Sequence, residues 1–285
     1  MPDISAVMEP FFRKIGRTPL NIAPERGKEL ERQIFEELRW TLVAERGDPT
    51  RPFLADPASK TIAVQYSGLA GVWCVACYSV FLFDLLTELH RQNLGGQTID
   101  IRPQIELLKP QLEYAEILRL KDTDWPDHLP IPRCKAGDPW DRINNLFFGA
   151  IAFILLHEIG HVSLRHQIIL PAQMKLSQEI DADAFAANWI FEKVGTLEQR
   201  EFRVLVVGVA LAWLFLFSPK GGSAEHPPAK TRLECVAVNF GASADSVSLE
   251  VVAHLLKVLF FSGITPPQFK TSQEYFDWIV WLFRS

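Results

Sequence analysis

Apolar positions recur with a helical period in residues 24–45. Leucine or isoleucine stands at every fourth position of one face, at Leu30, Ile34, Leu38 and Leu42. Because residues four apart share a face of a helix, the pattern predicts an amphipathic helix with one side against a core. Residues 46–60 contain one glycine and three prolines and are predicted to form a loop.

Three stretches are apolar on almost every side and are predicted to form buried helices. They are residues 69–83, 146–156 and 204–217. The last contains no charged residue, but as a helix it would span only about 21 Å, short of the roughly 30 Å of hydrocarbon in a bilayer. We therefore expect core helices, with a membrane-associated protein as the less favoured alternative.

Two short segments have the character of strands. Residues 61–66 alternate between apolar and polar positions, and residues 98–102 follow a pair of glycines. Near the C-terminus, Thr271 and Glu274 form a capping-box pattern that predicts a final helix. The predicted fold class is α+β, predominantly helical with a small sheet.

The length and composition allow a substantial core, because the chain has 285 residues and 48% of them are hydrophobic. Residues 122–139 are rich in proline and aspartate, which predicts a long surface loop or a boundary. We therefore divide the sequence into an N-terminal region of unknown role, residues 1–130, and a region with the histidine and acid motifs, residues 131–285.

The net charge is −5 and no block of five like charges occurs, which argues against nucleic-acid binding. Four cysteines are too few for a disulfide framework in a chain of this length, and the N-terminus shows no basic-then-apolar signal segment. Cys74 and Cys77 lie in an apolar stretch without a neighbouring histidine and are predicted to be buried. These features predict a protein of the reducing cytoplasm.

The strongest chemical signal is His157-Glu158-Ile159-Gly160-His161. On a helix the two histidines lie one above the other, so both imidazoles can bind one zinc ion. Glu158 lies one step round the helix, where it can act as general base towards a water molecule without being a ligand. With seven histidines and thirty-four acidic residues in the chain, chance gives about 0.02 occurrences of this pattern.

The helix that carries this motif is predicted to begin at the Asp-Pro pair of residues 138–139, with aspartate as N-cap, and to run to Arg165. Gly160 leaves room for substrate or for a crossing helix, and the sequence does not separate the two. His166 lies five positions beyond His161 and off its face, so it is predicted to be a surface or helix-end residue.

A second acidic segment, EIDAD at residues 179–183, supplies what the first motif lacks. Glu179 is predicted to be the third zinc ligand, on a helix capped by Ser177. Asp183, one turn later, is predicted to accept the outer ring proton of a metal-bound histidine. Asp181 lies on another face and is predicted to be solvated.

Two alternatives to this zinc site differ in how well they fit the sequence. A metzincin would carry glycine at 164 and histidine at 167, where this chain has Leu164 and Gln167, so that architecture is excluded. A buried helix whose histidines bond to backbone remains an alternative, but the downstream acidic segment favours the metal site.

Residues 221–228 contain glycine, proline and His226, and Arg232 follows them. Such a loop can place a hydrogen-bond donor against the oxyanion that forms when water attacks a peptide carbonyl. A simple surface turn fits the spacing equally well. His226 and Arg232 are therefore candidate catalytic residues whose roles the spacing leaves open.

These motifs resemble those of gluzincin-type zinc metallopeptidases, and most closely those of the Lit-like phage-exclusion peptidases. The likeness lies in FFGAIAFILLHEIGHVSLRH, QEIDADAFAANW and EHPPAKTR, within residues 139–235. It implies a zincin fold in which His157, His161 and Glu179 hold zinc. His226 and Arg232 correspond to the His-Pro and Arg positions that follow the site in several HExxH families.

The resemblance also implies a function: a cytoplasmic bacterial or prophage endopeptidase that cleaves a host protein, such as a translation elongation factor, during phage infection. A phage component is a candidate activator. The alternative is a zinc-stabilised sensor or binding protein without catalysis. The presence of Glu158 favours the enzyme, because a structural zinc site gains nothing from a base beside an open coordination position.

Overall fold

The computed structural model describes residues 1–45, 48–92, 102–135, 137, 140–167, 170–217, 222–223 and 226–283. The protein is 66% helical with a small three-stranded sheet, which confirms the predicted α+β class. Within the described residues the α-helices are α1 (Ile4–Ile15), α2 (Thr18–Ile22), α3 (Gly27–Leu30), α4 (Tyr66–Gln92), α5 (Arg102–Leu120), α6 (Asp141–Ser163), α7 (Ala172–Phe191), α8 (Leu197–Phe215), α9 (Ala229–Ala237), α10 (Val247–Phe260) and α11 (Ser272–Leu282).

The sheet has the order β1-β3-β2. Its strands are β1 (Thr41–Glu45), β2 (Phe53–Asp56) and β3 (Thr61–Gln65). β1 pairs with β3 in parallel, whereas β2 pairs with β3 antiparallel and sets Ala55 opposite Ile62. β3 is the central strand, and four of its five residues are buried. The strand predicted at residues 61–66 is confirmed, and β2 is an edge strand that packs against α6.

Four helices form the centre of the core. α4 packs against α6, α8 and α10, and α8 packs against α6 and α10. The three stretches predicted to be buried helices lie in α4, α6 and α8 and are largely buried, which confirms those predictions. α4 and α6 are long and apolar enough to cross a membrane, but 78% of the most apolar window of each is buried inside the protein.

The core extends over both predicted regions of the chain. Buried residues of α4, from the N-terminal region, join those of α6, α8 and α10 in one hydrophobic cluster. Trp125, in the segment predicted to be a surface loop, is fully buried, and its ring lies 5.8 Å from that of Trp73. Residues 121–135 contain no helix or strand, while the boundary at residue 130 stays a prediction.

The helix predicted over residues 24–45 is wrong in its last part. The chain is helical through a 3-10 turn, α3 and a π-helical segment that ends at Glu37, and Arg39 then takes up a left-handed backbone (φ 58°) before β1 begins. Leu30 and Ile34 are buried, as the pattern requires. Pairing with β3 satisfies the backbone of β1, so tertiary contact overrides the helical spacing of the final turn.

Other predicted elements have separate outcomes. α11 is confirmed: the Thr271 hydroxyl accepts from the Glu274 N–H (3.1 Å), while the Glu274 carboxylate accepts from the Lys270 N–H (2.8 Å). Cys74 and Cys77 are buried, as predicted. The predicted strand at 98–102, except for its last residue, and the predicted N-cap pair at 138–139 lie outside the described residues.

α6 and α7 approach each other closely at Gly160. A Cβ atom at this position would lie 3.1 Å from Ala182 Cα and 3.3 Å from its carbonyl oxygen. Backbone atoms cannot turn aside as the end of a flexible side chain can, so a larger residue here would push α7 away by a few tenths of an ångström. Of the two explanations for Gly160, the crossing helix is the one that the structure supports.

Candidate metal centre and active site

α6 and α7 carry the predicted metal ligands on the sides that face each other. His157 and His161 lie one turn apart on α6, and Glu179 and Asp183 lie one turn apart on α7. The part of α6 that precedes the motif is buried on nearly every side. The imidazoles therefore project from a rigid element, which favours a fixed geometry.

α7 begins earlier than the sequence analysis predicts. Pro171 is the N-cap residue and Ala172 the first helical residue, so Ser177 lies within the helix and its predicted role as a cap is wrong. Proline suits a helix start because its missing N–H is one that the first turn leaves unbonded. Glu179 consequently lies more than a turn inside a continuous helix.

His157, His161 and Glu179 converge on one point. The Nε2 atoms of the two histidines are 3.1 Å apart, and the Glu179 oxygens lie 3.5 Å from Nε2 of His157 and 3.4 Å from Nε2 of His161. All the candidate ligand atoms lie within 4.8 Å of one another. This group of three donors, found among the described residues, fits a metal cofactor.

Asp183 lies behind His157 and is fully buried. Its Oδ1 atom accepts a hydrogen bond from Nδ1 of His157 at 2.8 Å. This contact holds the ring proton on Nδ1 and leaves the Nε2 lone pair directed at the ligand group. The structure thus places Asp183 where the sequence analysis expects it.

Arg232, on α9, binds Asp183 from the other side. Its Nε donates to Oδ2 at 2.6 Å and its Nη2 to Oδ1 at 2.7 Å, and the side chain is only 3% exposed. Two N–H groups of this guanidinium are engaged by the carboxylate that lies behind the candidate metal ligands. The oxyanion role considered for Arg232 is therefore replaced by a structural one, because Asp183 fixes its orientation.

Glu158 is held by a backbone group of the sheet. Its Oε2 atom accepts a hydrogen bond from the backbone N–H of Ala55, on β2, at 2.8 Å. Ala55 pairs with Ile62 of β3 in the sheet, yet its N–H points outwards from the sheet edge to this carboxylate. Glu158 is not part of the group of metal donors, so its carboxylate stays available for proton transfer.

His226 lies at the mouth of the site. Its Nδ1 atom is 3.4 Å from Oε2 of Glu179, and its side chain is 43% exposed. The Ser223 hydroxyl accepts from the His226 N–H at 3.0 Å and so helps to position this residue. Residues 221, 224 and 225 of the predicted loop lie outside the described residues.

His166 lies just past the end of α6, as its predicted position at a helix end requires, but its side chain does not point away from His161, so that part of the prediction is wrong. Its Nδ1 atom lies 2.9 Å from Nδ1 of His161. The prediction extended the α-helical face past the end of the helix, whereas α6 ends at Ser163 and Arg165 takes up a left-handed backbone (φ 56°). The reversal brings the side chain of His166 back onto His161.

The two histidines of the motif differ in their affinity for protons. Burial opposes the charged form of His157, but its contacts with Asp183 and Glu179 outweigh burial and raise its pKa to about 10. Burial, together with the charge of His157, lowers the pKa of His161 to about 3. Two imidazoles whose Nε2 atoms face each other at 3.1 Å cannot both be protonated there.

The pKa values of the acidic residues of the site are also shifted in different directions. Burial raises the pKa of Glu158 despite the nearby His157, and a raised value suits a carboxylate that must take up a proton near neutral pH. For Glu179 burial acts in the same direction, but hydrogen bonds from His157 and His226 outweigh it and hold its pKa well below the usual range. Glu179 thus stays ionised, as a metal ligand must.

The acidic residues of the site outnumber its fixed positive groups, which favours the binding of a cation. Glu158, Glu179 and Asp183 are three acids that face one fixed positive group, Arg232. Without a metal, the raised pKa of His157 lets its imidazolium offset one of these charges. When both imidazoles are neutral, as ligands must be, the ionised acids exceed Arg232 by two negative charges in a largely buried place. A divalent metal balances them, and this agrees with the donor set of two nitrogens and a carboxylate.

The cleft that holds the site has a volume of about 280 Å³. β2 and the segment before it form one wall, and Ile154, Leu214 and Phe217 form an apolar part beside the motif. The sequence analysis assigned no role to residues 50–57. No sequence signal marks the Ala55 contact, because it is made by a backbone N–H that every residue except proline possesses.

Comparison with known proteins agrees with this site. The profile of the family described as peptidase U49 matches residues 62–252, more than half of the chain. The chain belongs to the peptidase U49 family. It is 27% identical over 220 residues to the cell death peptidase of Escherichia coli (strain K12), over 73% of this chain and 71% of that protein. No solved structure matches the chain.

Membership of this family confirms the resemblance to Lit-like peptidases. The protein is a peptidase, a hydrolase that acts on peptide bonds. The matched residues contain α6, α7 and α9, and hence the candidate metal ligands with Asp183 and Arg232. β2 lies before the matched residues, so the partner of Glu158 belongs to a part of the chain that the profile does not cover.

Proposed function

We propose that the protein is a zinc-dependent endopeptidase that cleaves a cellular or host protein. The observation that carries the proposal is the spacing of the three donors. Tetrahedral zinc, with ligand bonds of about 2.0–2.2 Å, sets its ligand atoms roughly 3.3–3.5 Å apart. The Nε2 atoms of His157 and His161 are 3.1 Å apart, and each lies 3.4–3.5 Å from a different oxygen of Glu179. One ligand atom from each residue lies within 4.8 Å of the others, so a small adjustment of the Glu179 carboxylate brings the three donors to these values.

The residues of the site divide the chemistry among them. Zinc, when bound, supplies a Lewis acid that polarises a carbonyl group and makes water more acidic. Glu158 accepts the proton of the attacking water and later gives it to the nitrogen of the leaving amine, so it ends the cycle as it began. To His226, at the open side of the site, we assign the donation of a hydrogen bond to the carbonyl oxygen as it gains negative charge.

Three residues keep these groups in place. Asp183 and Arg232 hold the ring of His157, and the Ala55 N–H holds the carboxylate of Glu158. Because proton transfer needs heavy atoms within about 3 Å of one another, a displaced carboxylate loses rate even when its pKa is right. We assign Asp183, Arg232 and Ala55 as the residues that hold the reacting groups in position.

For the biological role we propose phage exclusion through cleavage of a host protein in the cytoplasm, with a translation elongation factor as the first candidate substrate and a phage component as a candidate activator. The support is the similarity to a protein named cell death peptidase. Membership of a peptidase family favours catalysis over the alternative of a zinc-stabilised sensor. We propose neither a nucleic-acid partner nor a membrane partner.

The test compares purified wild-type protein with Glu158→Gln, His157→Ala and Glu179→Ala. Metal content is measured first, and each protein is then incubated with host-cell extract, with and without a chelator, while new peptide N-termini are identified by mass spectrometry. We expect one zinc per wild-type chain and chelator-sensitive cleavage. Glu158→Gln is expected to keep the metal and lose cleavage by at least about 100-fold, whereas the two alanine variants lose the metal.

Two results would overturn this proposal. If Glu158→Gln cleaved a verified substrate at the wild-type rate, Glu158 would not be the base. If the wild-type protein bound no divalent metal while its products formed in the presence of chelator, the metal mechanism itself would be wrong. Addition of extract from phage-infected cells tests for the activator in the same assay.

A further inference from the structure

The chain reverses direction at the end of α6, and this reversal brings His166 against the candidate metal ligand His161. The Arg165 N–H donates to the Val162 carbonyl at 3.2 Å, and the His166 N–H donates to the His161 carbonyl at 2.9 Å. With Arg165 in the left-handed region, this is the hydrogen-bond pattern of a Schellman motif. In that motif the side chain after the left-handed residue packs against the residue three positions before the C-cap. The C-cap of α6 is Leu164, so His166 packs against His161.

The side chains at these two positions are both histidines in contact. Their ring centroids are 4.9 Å apart with an interplanar angle of 74°, and the Nδ1 atoms are 2.9 Å apart. Nε2 of His161 faces His157 and Glu179, so a His161 that serves as a ligand carries its proton on Nδ1. Nδ1 of His161 then donates, and Nδ1 of His166 accepts.

The segment that bears His166 is attached to the helix of the third ligand. The side-chain amide of Gln178, in the orientation that satisfies both of its groups, donates to the Gln167 carbonyl and accepts from the Gln167 N–H, each at 3.0 Å. Gln178 is the neighbour of Glu179 in α7. The position of His166 is therefore set by α6 through the helix end and by α7 through Gln178.

We propose that His166 is a positioning residue for the metal site, which selects the tautomer and ring orientation of His161. This rests on the proposed function, because it takes His161 to be a zinc ligand. The arrangement supports the two imidazoles differently: His157 is oriented by a buried carboxylate, and His161 by a third, neutral imidazole. His166 contacts the outer nitrogen of His161 and does not join the donors.

The experiment measures zinc affinity by competition with a chromogenic chelator, using zinc alone and no substrate. His166→Leu removes the acceptor, and we expect the dissociation constant to rise by about 10–100-fold, as for the loss of other hydrogen-bond partners of metal-bound histidines. His166→Asn keeps an acceptor at the place of Nδ1 and is expected to retain most of the affinity. His128→Leu, the same change at an exposed histidine, is the matched control.

A second measurement separates positioning from general loss of structure. Imidazole NMR signals report the tautomer of His161, and we expect the Nδ1–H form in the wild type and in His166→Asn but a mixture in His166→Leu. If His166→Leu kept the wild-type zinc affinity and the wild-type tautomer of His161, the inference about His166 would be wrong. The proposed function would still stand in that case, provided that the wild-type protein binds zinc. A wild-type protein that bound no zinc would overturn both. Equal losses in Leu and Asn variants would also count against it.

Discussion

The two walls of the cleft contribute different kinds of chemical group: one contributes side chains and the other a backbone N–H. On one wall, α6 and α7 present side chains: the two histidines of the motif, Glu179 and Asp183. On the other wall, β2 presents a backbone N–H, that of Ala55, to the carboxylate of Glu158. The first wall is recognisable from residue types at helical spacing, whereas the second depends on where the sheet edge lies.

This difference shows which part of an active site tolerates sequence change. Replacing a ligand on the helical wall removes a donor, so its identity matters. Replacing the Ala55 side chain leaves the N–H in place, so only the path of β2 matters. We therefore expect the helical wall to respond to side-chain substitutions and the strand wall to respond only to substitutions that alter the backbone.

The largest effect is expected from Arg232→Met on the helical side. The change leaves the buried Asp183 without its two charged hydrogen bonds, and breaking a buried pair typically costs about 3–5 kcal/mol in the free energy of unfolding. We expect that loss in chemical denaturation, together with weaker zinc binding, because Asp183 also orients His157. The pair is unimportant if Arg232→Met keeps wild-type stability and zinc affinity.

Gly160→Ala should have the next largest effect. The new Cβ atom would lie 3.1 Å from Ala182 Cα, so α7 must move away from α6. Overpacking of this kind costs about 1–3 kcal/mol and alanine gains roughly 1 kcal/mol in helix propensity, so we expect a net loss of up to about 2 kcal/mol in the free energy of unfolding. Thermal unfolding and zinc titration measure the two consequences. Gly263→Ala, with no atom within 4 Å of the added carbon, is the control.

Ala55→Pro tests the strand wall. Proline removes the N–H that Glu158 accepts, and it leaves the pairing of β2 with β3 in place because that N–H points away from the sheet. The lost hydrogen bond to a charged group corresponds to about 1.5–3 kcal/mol, or roughly a 10- to 100-fold fall in the cleavage rate. Zinc content should not change.

Ala55→Val, which keeps the N–H, is the matched control for the strand wall and is expected to cleave at close to the wild-type rate. Equal activity in the proline and valine variants would show that the backbone contact has no role. Equal losses in both would show that the side chain matters after all, and the contrast between the walls would fail.

Thr271→Ala is expected to have the smallest effect. It removes the hydroxyl that accepts from the Glu274 N–H at the start of α11, and the loss of such a cap costs about 1 kcal/mol. α11 lies outside the candidate site, so we expect a lower melting temperature with unchanged zinc affinity. A fall in zinc affinity here would show that affinity merely follows stability, and would weaken the interpretation of Gly160→Ala.

Much of the helical architecture was predictable because it depends on local pattern. The stretches in α4, α6 and α8 are apolar all round, and a helix of that kind must be buried. The segment 41–45 was not predictable in the same way, because its apolar spacing fits a helix while its partner strand lies some twenty residues further on. Long-range pairing decided its structure.

In the candidate site, too, the residues that follow local helical spacing were predictable and the others were not. Spacing alone predicted that Glu179 and Asp183 face the motif, since both lie on one side of a single helix. It failed for His166, because the helical period stops at Ser163 and a left-handed residue reverses the chain. It left the role of Arg232 open, since nothing in the spacing distinguishes a donor to substrate from a donor to Asp183.

The buried pair between α7 and α9 has a consequence for the making of the protein. During synthesis on the ribosome, the helices that bear the histidines and Glu179 emerge well before Arg232. Until α9 has docked, Asp183 lacks the guanidinium that fixes it, and the ring of His157 lacks a firm support. We therefore expect the ring of His157 to gain its full support only late in translation, once α9 has docked against α7.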